Sequence, residues 1–198
     1  MSKLARFAIA LSVIAVIGGA PALRAFADDA SDRAKIDSDV KASVAELYKT
    51  VGGSKELADK AKGMLVFPSV YKAGFGVGGQ YGKGALLIKQ RPVGYYSTAA
   101  ASFGFQAGAQ ARSLVFLFMT DEALKKFQTT NGWDVGGDAT VTAVKTGVNG
   151  ALDFSTVNQP VVAIAYANTG LMADLSLKGT KVSKLDISPN EASGSSTH

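Results

Sequence analysis

The sequence predicts an α+β fold, in which two N-terminal helices precede a largely antiparallel sheet curled into a barrel or sandwich. Three observations carry that reading. Residues 37–51 space their apolar side chains as one helical stripe, the chain from Met64 onward alternates large residues with glycines as strands and turns do, and a single helical segment interrupts the strands after Thr120.

In the first segment, Val40, Val44, Leu47 and Val51 fall on one face with charges opposite. A stripe this narrow, without tryptophan or phenylalanine, suits a helix packed on its own domain; a membrane-surface or partner helix is the alternative. Ser54, followed by Glu56 and Leu57, is placed to cap a second short helix ending by Gly63.

MLVF at 64–67, Pro68 and the glycine-punctuated stretch that follows read as strand and turn. Gly74, Gly76 and Gly78 alternate with Phe75 and Val77, so in an extended chain the glycines share one bare face, open to close approach, while Phe75 and Val77 face the core. ALLI at 85–88 and Arg91-Pro92-Val93-Gly94 suggest a hairpin return with its turn at the proline. Residues 103–111 repeat the alternation, setting an apolar face against a glycine and glutamine face. SLVFLFM at 113–119 is a continuous apolar run, most simply a strand buried on both faces. Thr120 then caps a short helix carrying Leu124 and Phe127, with Asp121 and Glu122 in the first turn, where the helix dipole favours them. Further strands are expected at ATVTAV, VVAIAYA and LMADLSL, followed by a polar tail from residue 188.

Ahead of these elements stands a positive start, Met1 to Arg6, an apolar run, Phe7 to Ala20, and Ala25-Phe26-Ala27 in a small-x-small pattern. This is the form of a secretory signal peptide cleaved after Ala27. The run of 14 residues is shorter than the roughly 18 a spanning helix needs, and a retained anchor is the alternative. Removing residues 1–27 leaves 171 of the 198, one domain's worth, placed in a bacterial-type periplasm or outside the cell. The chain has no cysteine, which excludes disulfides, thiolate metal sites, a cysteine nucleophile and an acylated lipobox. Its one histidine is the last residue, His198, so a Ser-His-Asp triad or a histidine zinc site lacks its imidazole.

The formal charge of +5 falls to +2 without Lys3, Arg6 and Arg24. The distribution is more informative. Residues 28–63 carry 7 basic and 8 acidic side chains and residues 121–198 carry 6 and 8, whereas residues 64–120 hold Lys72, Lys83, Lys89, Arg91 and Arg112 with no acid. One positive face that attracts phosphate or an anionic lipid surface follows, against the alternative of solvated surface cations without acidic neighbours.

Other motifs fail on context. Gly74 to Gly79 satisfies G-x-G-x-x-G, yet glycines rather than a helix follow, so no helix N-terminus receives a pyrophosphate. Gly82-Lys83 lacks both the first glycine and the magnesium-binding hydroxyl of a phosphate loop. Asp134 and Asp138 around Gly136-Gly137 read as turn residues rather than calcium ligands, and Trp133 as a core or turn anchor. No catalytic residue, metal, cofactor or nucleic-acid partner is expected.

Four segments together carry a resemblance: AKGMLVFPSVYKAGFGVGGQYGKGALL (61–87), YYSTAAASFGFQAGAQARSLVFLFMTDEALKKF (95–127), GWDVGGDATVTAV (132–144) and GLMADLSLKGTKVSKL (170–185). Phenylalanine-proline, the glycine cluster, the G-x-Q-x-G-x-Q element at Gly104 to Gln110 and Gly-Leu-Met occur in the order of the SYLF domain, which the chain resembles over residues 40–187. The resemblance implies a non-enzymatic lipid-binding module. Eukaryotic members bind phosphoinositides and, in fungi, actin filaments; an exported protein meets neither, so anionic phospholipid is the partner carried over. Tyr95-Tyr96-Ser97 departs from the tryptophan and proline segment of eukaryotic members.

The expected lipid-binding residues are therefore Lys72, Lys83, Lys89, Arg91 and Arg112 as phosphate partners, with Gly74, Gly76 and Gly78 allowing close approach. An envelope structural or protein-interaction module, and a carrier of an apolar ligand inside the barrel, stand as alternatives.

Overall fold

The computed structural model describes residues 21–104, 110–130, 132–144, 159–167, 170–171, 177 and 179–187. The described residues form helices α1 (Pro21–Thr50), α2 (Ser54–Lys60) and α3 (Asp121–Thr129) and strands β1 (Gly63–Ile88), β2 (Arg91–Gly104), β3 (Gln110–Phe118), β4 (Trp133–Asp134), β5 (Val141–Ala143), β6 (Val161–Ala167), β7 (Gly170–Leu171) and β8 (Lys181–Lys184). The strands make one sheet in the order β4-β8-β2-β1-β3-β6-β5, with β7 on β6; every pairing of these strands is antiparallel except β5 with β6. The sheet curls into a half-barrel preceded by two helices, as the sequence predicts.

β1 is the spine. Its first part pairs with β3, from Gly63 opposite Phe118 to Lys72 opposite Gln110, and its second part with β2, from Gly76 opposite Gly104 to Ile88 opposite Arg91. Between Phe67 and Val70 the ladder slips where Pro68 has no N–H to give, and Ser113 Oγ donates to the Pro68 carbonyl at 2.8 Å. The strand then doubles back so closely that a Cβ at Gly84 would lie 2.0 Å from the Val66 carbonyl oxygen and one at Gly82 2.7 Å from that of Ser69. These glycines are a steric requirement of the crossing.

Each face of the sheet carries its own core. On one, Ile36, Val40, Val44, Leu47 and Val51 pack against Val66, Ala85, Tyr95, Val115, Leu117, Val162 and Ile164. The stripe on α1 is thus buried within the domain, and the surface-helix alternative falls. The helix starts well before residue 37, with the Lys35 to Asp39 pair at 2.8 Å on its solvent side. On the other face, Phe67, Phe116, Phe118, Phe127 and Trp133 interlock, with Trp133 5.4 Å from Phe116 and 5.3 Å from Phe127, both edge-to-face. The core reading of Trp133 holds, and these side chains fill the described interior of the curl.

Thr120 caps α3 as expected, its hydroxyl accepting from the Ala123 N–H at 3.2 Å. Ser54 does not cap α2. Gly53, at φ 80°, holds that position, while Ser54 is buried and donates to the Leu47 carbonyl at 3.0 Å, satisfying an acceptor at the end of α1. The hairpin turn is also displaced from Arg91–Gly94 to Lys89-Gln90, whose φ values of 52° and 65° make a two-residue turn of the type that matches strand twist. Gly94 is a packing residue instead: a Cβ there would meet the Tyr96 ring at 3.2 Å. Asp134 and Asp138 form a turn, the Asp134 N–H donating to Asp138 Oδ2 at 2.7 Å around Gly136 at φ 100°. β3, β5 and β6 fall on predicted strands; β4 and β8 are additional, and of LMADLSL only β7 and Leu177 lie within the described residues.

Candidate functional site

The five cations predicted to share one face do not gather in one place. Lys89 and Arg91 sit together, both exposed, at the β1–β2 hairpin tip, and neither has a carboxylate within ion-pair distance among the described residues. Lys83 stands six residues back along β1, roughly 20 Å at strand rise. Its Nζ is 2.7 Å from Asp32 of α1, and that hydrogen bond raises the ammonium pKa. Arg112 lies on the face opposite α1, partly buried, its guanidinium donating to Gln80 Oε1 at 2.8 Å. Lys72 pairs with Gln110 at the far end of the β1–β3 ladder, close to the bend.

The single face is therefore corrected, and the cause is tertiary. Although residues 64–120 contain no acid, α1 lies along them and returns Asp32 to Lys83 and Asp37 to Tyr95. Of the glycines, Gly76 and Gly78 are in the β1–β2 ladder opposite Gly104 and Ser102, and Gly74 lies between the two ladders. The expected inward direction of Phe75 and Val77, and all but Ala111 of the alternation over 103–111, lie outside the described side chains.

The tip is built for exposure. The register slips between Leu86 and Leu87, leaving Val93 as the extra residue opposite them, and this bulge turns its side chain to solvent at 40% exposure beside Pro92. Below the tip a groove of about 520 Å³ runs between the hairpin and α1, lined by Val40, Val44, Ala45, Leu87 and Pro92, with Lys41 at its edge. Tyr48, Leu87 and Gln90 divide it from a second hollow of about 480 Å³, which reaches Lys89, Lys62 and Asp121. Lys62 is 3.6 Å from Asp121, so it is compensated in place. The exposed Val93, two unpaired cations and Lys41 thus gather at one end of the molecule. Lys41 was missed in sequence because it belongs to a charge-balanced stretch.

Two polar clasps fix α1 beneath this end. The Tyr95 hydroxyl donates to the Asp37 carboxylate, and Tyr166 on β6 donates to the Ser43 carbonyl while accepting from the Ser43 hydroxyl at 2.6 Å. Burial, reinforced for Tyr95 by Asp37, pushes both phenols above their ordinary pKa.

The family profile described as "Las17-binding protein actin regulator" matches residues 99–191, which run from β2 through β8. Residues 99–191 match the SYLF domain family that the sequence resembles. Among curated proteins, the chain is 27% identical over 135 residues to "LAS seventeen-binding protein 3" of Saccharomyces cerevisiae, covering 64% of the chain and 29% of that protein. It is 28% identical over 131 residues to "Protein YSC84" of the same yeast, covering 62% and 28% respectively. The SYLF match thus spans under a third of each yeast relative's length.

Proposed function

We propose that this protein is a non-enzymatic membrane-docking module, exported to the periplasm or cell surface, that binds anionic phospholipid headgroups through the β1–β2 hairpin tip. The observation that carries the reading is the coincidence of two unpaired, exposed cations, Lys89 and Arg91, with the exposed Val93 and half-buried Pro92 at the two-residue Lys89-Gln90 turn and the start of β2. Phosphates meet the cations while the valine enters the headgroup boundary. Each surface-near cation contributes on the order of 1 kcal/mol to binding an anionic bilayer. The tip alone is therefore a reversible contact.

Vesicle sedimentation tests this. Binding to phosphatidylcholine vesicles doped with phosphatidylglycerol or cardiolipin, absent with phosphatidylcholine alone and lost in a folded Lys89→Glu/Arg91→Glu variant, is the expected result. Equal binding by the variant removes the tip from the mechanism. Export is tested separately, since cleavage after Ala27 gives a mature protein whose N-terminal residue is Asp28.

A second reading is a protein-interaction module, supported by the name of one yeast relative, "LAS seventeen-binding protein 3", which describes binding to another protein, and by the apolar groove between α1 and the hairpin. Loss of a pulled-down envelope partner in Leu87→Glu, with vesicle binding kept, supports that reading over the first.

A further inference from the structure

Where β1 doubles back, a separate pocket of about 270 Å³ opens on the α1 side of the sheet. Its walls include Tyr71 and Tyr81, which at 60% and 49% exposure are the two most exposed large hydrophobic side chains among the described residues. They reach one pocket from the two halves of the same strand because Gly82, lacking a Cβ, rests against Ser69. The helix side is polar: Lys35 Nζ is 2.8 Å from Asp39 and Lys83 Nζ 2.7 Å from Asp32.

The charges of this pocket cancel. A bound anion would have to separate a lysine from its carboxylate, a bound cation the reverse, and an anionic bilayer pressed on the tyrosines would meet Asp32 and Asp39. A neutral polyhydroxylated ligand meets none of these costs. Its hydroxyls can donate to the free lone pairs of Asp32 and Asp39 and accept remaining protons from Lys35 and Lys83. The weakly positive C–H faces of a pyranose ring pack on the negative faces of aromatic rings. A hollow with aromatic walls and a few convergent polar groups is the usual form of a small-ligand site.

We infer that this pocket is a subsite for a neutral saccharide, with sugar rings packed on Tyr71 and Tyr81 and hydroxyls held by the Asp32–Lys83 and Lys35–Asp39 pairs. It is independent of the hairpin tip. A module carrying both would hold a glycan at one place and a lipid surface at another.

The test is an NMR titration of the protein, with tyrosine rings labelled, against three neutral probes, chitotriose, cellotriose and maltotriose, each to about 10 mM, a range suited to weak binding. At least one probe should shift the Tyr71 and Tyr81 rings and leave the buried Tyr95 and Tyr166 rings unmoved. Tyr71→Ala/Tyr81→Ala, which removes only exposed side chains and so keeps the fold, should weaken that binding about tenfold or more. No ring shift with any probe, or an unchanged affinity in the double variant, overturns the inference. Loss of vesicle sedimentation in the double variant, with no saccharide response in the parent, overturns it in favour of a membrane anchor.

Discussion

The Tyr95 hydroxyl on β2 lies 3.0 and 3.1 Å from the two carboxylate oxygens of Asp37 on α1, joining the first helix to the strand that begins at the hairpin tip. Tyr95 is buried, so Tyr95→Phe changes little packing yet removes the phenol's hydrogen bond from the carboxylate. The expected loss is about 1–2 kcal/mol in urea unfolding at neutral pH. An unchanged midpoint would show that water replaces the phenol without cost.

Alkali should reveal the same tyrosines. Burial raises Tyr95, Tyr96 and Tyr166 in the folded state, whereas in the unfolded chain each ionises near its ordinary value of about 10. Below that pH both states keep the proton; above it the unfolded chain releases protons that the folded chain retains. Stability is therefore full below about pH 10 and falls as pH rises, by about 1.4 kcal/mol per unit for each such tyrosine. Urea titrations on either side of that pH should show the slope, shallower by one proton's worth in Tyr95→Phe.

Gly84→Ala should prevent folding or cost about 3 kcal/mol or more, because the Val66 carbonyl is backbone and cannot yield to a Cβ placed at 2.0 Å. Gly52→Ala, with nothing within 4 Å of its Cβ, is the matched control and should lie within about 0.5 kcal/mol of the parent. Thermal unfolding of the pair measures the crossing directly.

Lys89 and Gln90 hold positive φ without being glycine or asparagine. Gln90→Gly should relieve that strain and stabilise the hairpin by up to about 1 kcal/mol, the left-handed penalty less glycine's entropic cost. A drop in melting temperature would mean that Gln90 makes a contact worth more than its strain.

Lys83→Glu should leave vesicle binding near the parent level while weakening the seat of α1, because its ammonium is engaged by Asp32. Lys89→Glu/Arg91→Glu should do the opposite. Raising salt to about 0.5 M, where the screening length is only a few ångströms, should abolish the parent's binding to anionic vesicles. Persistent binding would point to the groove and Val93 in place of charge.

What the sequence discloses and what it hides divide along local and tertiary lines. Thr120 capping α3, the apolar run of β3, the stripe from Val40 to Val51 and the burial of Trp133 are legible because each follows from its own neighbours. The tip at Lys89-Gln90 is hidden because neither residue is a usual turn former, while Pro92 and Gly94 nearby mimic one. β8 shows only Val182 as a buried apolar residue between exposed lysines, too little for a strand signal. The candidate site is misjudged for a related reason: an acid-free stretch of sequence is not an acid-free surface once α1 lies across it.

The place of β8 has a consequence for the nascent chain. β2 is complete once Gly104 is made, but its other neighbour, Lys181–Lys184, begins only 77 residues later. Until then the Tyr96 to Ala99 edge offers unpaired backbone groups to any passing strand, the condition under which chains aggregate. The last of the described strands to be made is the one that closes the edge left open by the second.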